Sequence, residues 1–243
     1  MEQRTDAVSR DDPTRALLAW GVHALTASGS VIGLAALIAS TRGDFRAAAL
    51  WMLLALFVDS VDGTLARALN VGRHAPRVDG RRLDDIVDYL NYVMVPVFFL
   101  LMLGSLTHWS IAAAPLLASA YGFSQREAKT QDAFFLGWPS YWNVLALYVW
   151  LLDLSPATSS VLVIFFSIGV FVPLKYIYPS QMPILRNASM AGALLWITAT
   201  SAAVAWPEPA QALHLAEASL AYPLYYMCAS AWLGDWLGSR GRA

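Results

Sequence analysis

Four aspartates, Asp59, Asp62, Asp84 and Asp88, stand in two pairs within the stretch FVDSVDGTLARALNVGRHAPRVDGRRLDDIVDYLNYVMVPVFF. The first pair is three residues apart and the second four, so each pair falls on one face of a helix. Asp59 follows WMLLALFV directly and Asp88 precedes YLNYVMVPVFF, which puts both carboxylates beside segments suited to hydrocarbon. Ionised carboxylates are costly there and are usually kept for a site. Interfacial charge neutralised by loop arginines accounts for Asp79 and Asp85, but poorly for Asp59 and Asp88. Four facing carboxylates repel one another unless a cation lies between them, and an all-oxygen donor set suits Mg²⁺ or Mn²⁺. Four such ligands leave room for two ions. Gly63 and Ala66 continue the first stripe, and small residues there admit a neighbouring helix or a flat ligand close to the backbone. Arg67 lies one turn further on, and Arg73, Arg77, Arg81 and Arg82 follow in a short loop. Metal-bound carboxylates beside guanidinium groups are what a phosphate or pyrophosphate substrate requires. The loop arginines are equally accounted for by membrane topology and attraction to anionic lipid, whereas Arg67 is distinguished by its register.

The elements that must hold these residues are membrane helices. Of 243 residues, 58% are hydrophobic and 14% charged, far more apolar than a soluble domain of this length needs. Stretches of spanning character fall near 17–39, 47–69, 86–106, 110–124, 141–154, 159–175, 188–206 and 218–237. This predicts an all-α integral membrane protein with about eight transmembrane helices. The fourth and fifth stretches are short, so six or seven spans are the alternative counts. With eight spans and a cytoplasmic start, only Arg42 and Arg46 of the 16 Lys and Arg residues fall outside, which predicts cytoplasmic termini and a cytoplasmic carboxylate cluster. The net charge of −1 gives no basic surface for nucleic acid. The single Cys228 excludes an internal disulfide and a cysteine-built metal site. No small-residue cleavage signal follows the polar opening, so the first hydrophobic segment is expected to be retained. Without repeats or a long linker, residues 1–243 read as a single membrane domain. The four histidines show no ligand spacing and receive no role.

Asp59-x-x-Asp62-Gly63-x-x-Ala66-Arg67 followed by Gly80-x-x-x-Asp84-x-x-x-Asp88 resembles the signature of the CDP-alcohol phosphatidyltransferases, at all eight fixed positions. The twelve residues between Arg67 and Gly80 exceed the gap usual in that family. DGRRLDDIVDYLNYVMVPVFF and TQDAFFLGWPSYWN further resemble one branch, the bacterial phosphatidylcholine synthases, which condense CDP-diacylglycerol with choline. The resemblance implies a six-helix family core with two added helices in the bacterial inner membrane, and a homodimer. It implies that Asp59, Asp62 and Asp84 bind one or two Mn²⁺ or Mg²⁺ ions, with Asp88 both touching them and acting as general base. It also implies that Asp62, Gly63, Ala66, Arg67 and Gly80 form the nucleotide and pyrophosphate site.

For the acceptor, SAYGFSQREAKTQDAFFLGWPSYWN clusters aromatic residues near Glu127 and Asp132. A quaternary ammonium has no proton to donate and is recognised by aromatic faces and a nearby carboxylate. Glu127, Tyr141 and Trp142 are therefore the candidate choline contacts. An interfacial aromatic belt accounts for individual rings equally well. Serine, glycerol phosphate or inositol phosphate are the alternative acceptors. A cation-coupled transporter is the alternative of another class, although the polar cluster does not continue through both leaflets.

Overall fold

The computed structural model describes residues 13–125, 130 and 132–236. Helix α1 (Pro13–Thr41) turns back through Gly43 into α2 (Phe45–Ala68), whose first turn is capped by the Asp44 carboxylate accepting from the Ala47 amide at 2.9 Å. After α2, Asn70 adopts the left-handed conformation and a single turn, α3 (Val71–His74), follows. Val71 and Ala75 pack there on Ala19 and Val22 of α1. The long gap between Arg67 and Gly80 thus covers the N-terminal part of α1 and leaves the signature helices in place.

The next helix runs without interruption over Gly80–Met102. It comprises α4 (Gly80–Asp88), a π turn (Tyr89–Met94) and α5 (Val95–Met102). Asp79 caps it by accepting from the Arg82 amide at 3.2 Å. Pro96 has no N–H for the carbonyl one turn back. The backbone just before it widens, and the Val95 amide donates to Leu90 five residues back.

A 3₁₀ turn (Trp109–Ala112) leads into α6 (Ala113–Ser124), β1 (Phe134–Leu136), α7 (Trp142–Leu151) and α8 (Pro156–Phe171). The chain continues as β2 (Lys175–Ile177), α9 (Arg186–Ala205), α10 (Pro207–Ala212), α11 (Leu215–Ser219) and α12 (Ala221–Leu233). Each of the eight expected stretches contains a helix among the described residues. Among the described residues four helices, α1, α2, Gly80–Met102 and α9, are long and apolar enough to cross a membrane. The shorter apolar α7 and α8 have 10 and 16 residues, and a ten-residue helix reaches only ~15 Å against a hydrocarbon core of ~30 Å.

The unforeseen element is a small antiparallel ribbon, in which Phe134 pairs with Ile177 and Leu136 with Lys175. It is followed at once by Gly137, at φ +80°, where a Cβ would lie 2.2 Å from the Val170 carbonyl oxygen. Only glycine fits that crossing of the end of α8.

The core joins Val93, Val95, Phe99 and Leu100 to Trp142, Leu147, Val163 and Val204. Outward-facing Leu34, Val161, Phe165 and Leu195 are exposed and apolar, as lipid-facing surfaces are. The chain is an all-α integral membrane protein that crosses the bilayer several times. α1 lies along α2 and along Gly80–Met102. Its approach to the latter is close: a Cβ at Gly29 would come 2.6 Å from Val87 Cγ1, and one at Gly33 2.6 Å from Asn91 Oδ1. Asn91 Nδ2 donates to the carbonyls of Gly29 and Val87, both at 3.1 Å, and ties the two helices together at that point.

Candidate active site

Asp59 projects from α2 and Asp84 and Asp88 from α4, one carboxylate oxygen of each lying within 4.8 Å of the others. Opposite ligands of one Mg²⁺ are about 4.2 Å apart, twice a ~2.1 Å bond. Small side-chain rotations would close these three oxygens on a hard divalent ion, and the all-oxygen donor set fits one. Asp62 is not in that set. It is 3% exposed on the wall of the same cleft, where it faces Thr26 of α1. The cleft is further lined by Gly29, Val58, Val87, Asn91 and Tyr92.

The Tyr92 hydroxyl donates to Asp59 Oδ2 at 2.6 Å. A buried donor of this kind fixes the orientation of a ligating carboxylate. Arg67 folds back along its own helix: Nη2 donates to Thr64 Oγ1 at 3.3 Å, and Nη1 would lie 3.4 Å from a Cβ at Gly63. The guanidinium thus lies over its own helix near Asp62. Ala66 packs beside Leu69 against the α1–α3 cluster. Gly80 sits against His23, whose Cε1 would be 3.1 Å from a Cβ there. The four signature aspartates therefore line one cleft between α1, α2 and α4, whereas Gly63, Ala66, Arg67 and Gly80 lie outside its lining.

The acceptor candidates separate. The Tyr141 ring lies 6.1 Å from that of Tyr92 and 5.7 Å from that of Tyr226, which stacks at 6.4 Å on Tyr176 of β2. A row of tyrosines thus leads away from Asp59. Trp142 does not join it. Its ring is 0% exposed, donates from Nε1 to Ser119 Oγ at 2.7 Å and meets Trp138 edge-on at 4.5 Å, so it belongs to the core against α6. Helical geometry explains the division, since adjacent residues at the start of a helix point about 100° apart. Asp132 accepts from Lys175 Nζ at 2.5 Å, and that bond holds its carboxyl below the usual range. Glu127 lies outside the described residues.

Several site residues escaped the sequence reading. Tyr92 was visible in principle, because it extends the Asp84–Asp88 stripe by four more residues. Gly29 and Gly33 form a small-xxx-small pattern that marks close helix packing. Tyr176 and Tyr226 carried no local signal, being brought together by the ribbon and α12.

The model of the family described as CDP-alcohol phosphatidyltransferase matches residues 23–172. A phosphatidylcholine synthase of Legionella pneumophila is 41% identical over 181 residues, covering 73% of this chain and 71% of that protein. One of Legionella bozemanae is 46% identical over 154 residues, or 61% and 71%. A phosphatidylcholine synthase of Pseudomonas aeruginosa is 32% identical over 231 residues, or 93% of this chain and 97% of the relative.

Proposed function

Since the chain belongs to the CDP-alcohol phosphatidyltransferase family and is a phosphatidyltransferase, we propose that it transfers the phosphatidyl group of CDP-diacylglycerol to choline, giving phosphatidylcholine and CMP. The observation that carries this reading is the set of three carboxylates within 4.8 Å of one another at the foot of a tyrosine row. Asp59 and Asp84 would hold one or two Mg²⁺ or Mn²⁺ ions, with Asp88 beside them and Asp62 as a ligand after side-chain rotation. Such ions would supply positive charge against the pyrophosphate. Arg67 pairs with the outer phosphate oxygens, and Gly63, Ala66 and Gly80 leave space for the nucleoside.

Asp88 accepts the proton of the choline hydroxyl as its oxygen bonds to the phosphorus bearing the diacylglycerol. The bond from that phosphorus to the CMP oxygen breaks. Tyr92 keeps Asp59 oriented. Tyr141, supported by Tyr226, presents a ring face to the trimethylammonium group on the side of the cleft where Asp59 supplies negative charge. Trp142 acts only in packing. The enzyme works in a bacterial inner membrane, as a homodimer, with the cleft and both termini on the cytoplasmic side.

Incubating purified protein with CDP-diacylglycerol and labelled choline, serine, glycerol phosphate or inositol phosphate tests the reading. CMP release is expected with choline alone. Release with serine or a phosphorylated alcohol would move the chain to another acceptor within the family.

A further inference from the structure

One buried polar group near the cleft belongs to no signature position. His23 of α1 is 7% exposed, and its Nε2 has no hydrogen-bond partner among the described residues. Trp20 meets its ring edge-on at 6.0 Å. The opposite requirement holds at Gly80, where a Cβ would lie 3.1 Å from His23 Cε1 and 3.7 Å from Nδ1. The Cε1–Nδ1 edge of the imidazole is therefore set against the first residue of α4, and Nε2 lies beyond 4 Å of that position.

Register gives its level in the cleft. His23, Thr26 and Gly29 share one face of α1, and the latter two line the aspartate cleft, with Thr26 facing Asp62. α1 and α2 run antiparallel, so one turn before Thr26 lies opposite one turn after Asp62, at the level of Ala66. His23 thus stands with Ala66 and Gly80, one helical turn beyond Thr26 and Asp62 of the cleft wall. Buried nitrogens are nearly always hydrogen-bonded, so one without a partner among the described residues, one turn from a binding cleft, calls for an explanation. A nucleoside offers ribose hydroxyls and a pyrimidine edge, each with donors and acceptors that a neutral imidazole can match in one tautomer or the other.

We propose that His23 Nε2 hydrogen-bonds to the nucleoside half of the cytidine-bearing substrate, at a ribose hydroxyl or the pyrimidine edge, and so contributes to recognition of CDP-diacylglycerol. This rests on the proposed function. The test uses the full chain in lipid nanodiscs with Mg²⁺, comparing wild type, His23→Ala and His23→Gln. Dissociation constants for CMP, Michaelis constants for CDP-diacylglycerol, its 2′-deoxyribose analogue and choline, and thermal stability are measured. His23→Ala should weaken CMP and raise the CDP-diacylglycerol KM roughly tenfold, with choline KM unchanged. His23→Gln should recover most of the loss. A ribose contact makes the deoxy analogue poor for wild type and indifferent to the alanine change; a pyrimidine contact makes both substrates suffer equally from it. Unchanged CMP affinity in His23→Ala, or a loss that merely follows lowered stability and is not rescued by Gln, would overturn the assignment. If wild type binds no CMP and uses no CDP-diacylglycerol, the proposed function itself fails and the His23 role with it.

Discussion

At the scale of single residues, the three clustered aspartates are chemically alike but take different proposed roles, which substitution can separate. Asp59→Asn and Asp84→Asn should abolish Mn²⁺ binding measured by paramagnetic resonance. Asp88→Asn should retain metal and CDP-diacylglycerol yet lose on the order of 10²- to 10⁴-fold in CMP release, as the loss of a general base does. Near-normal turnover in Asp88→Asn would remove it as the base. Activity of the wild-type protein should vanish in chelator and return with Mg²⁺ or Mn²⁺; full turnover in metal-free protein would contradict the all-oxygen metal site. The neighbours Tyr141 and Trp142 make a second contrast. Tyr141→Ala should raise the choline KM by about tenfold, matching ~1–2 kcal/mol for a desolvated cation–π contact, and leave CDP-diacylglycerol unaffected. Trp142→Ala should instead cost ~3–5 kcal/mol of stability by opening a cavity against Ser119 and Trp138. Equal effects on both substrates from Tyr141→Ala would make that ring structural as well.

At the scale of elements, the site depends on how closely α1 approaches the helix Gly80–Met102. The positions of Gly29 and Gly33 permit that approach, and Asn91 bridges it. Gly33→Leu should therefore lower the melting temperature and weaken Mn²⁺ binding together, because α1 must withdraw from Asn91 and carry Thr26 away from Asp62. Gly21 is the matched control, since a Cβ there meets nothing within 4 Å. Gly21→Ala should be neutral or stabilising by up to ~1 kcal/mol from helix propensity. Equal damage from the two changes would show that the glycines matter for helix flexibility rather than for close packing. The π turn at Tyr89–Met94 belongs to the same scale. Pro96 accounts for its position, immediately after the last signature aspartate, and the widened turn presents Tyr92 to Asp59.

At the scale of the whole molecule, the proposed cytoplasmic face has a direct test in charge and accessibility. Arg73 and Arg77 lie in the segment between α2 and α4, and the proposed orientation sets that segment inside the cell. With the exposed Cys228 first replaced by serine, single cysteines at 73 or 77 should resist an impermeant thiol reagent in intact cells and react after permeabilisation. Labelling in intact cells would invert the topology and require choline to be used from outside.

The sequence alone determined the helical membrane class, the eight helical stretches and the shared helix face of each aspartate pair, because each rests on local information. Hydrocarbon thickness sets segment length, and three- and four-residue spacing sets a common helix face. Pairing Asp59 with Asp84 and Asp88 needed only two neighbouring helices. What the tertiary structure decided was contact between distant segments. Asp62 turned toward Thr26 rather than into the three-oxygen set. Trp142 went to the core while Tyr141 reached the tyrosine row, although both are aromatic and adjacent. The ribbon of β1 and β2, with three residues on each side, is too short to declare itself by alternation. Its pairing, across two intervening helices, brings Tyr176 to Tyr226. His23 had no ligand spacing to mark it; its Nε2, without a partner among the described residues, became visible only when α1 was packed against Gly80. Spacing along one helix is written into the chain, whereas the direction in which a side chain finds its partner on another helix is settled by packing.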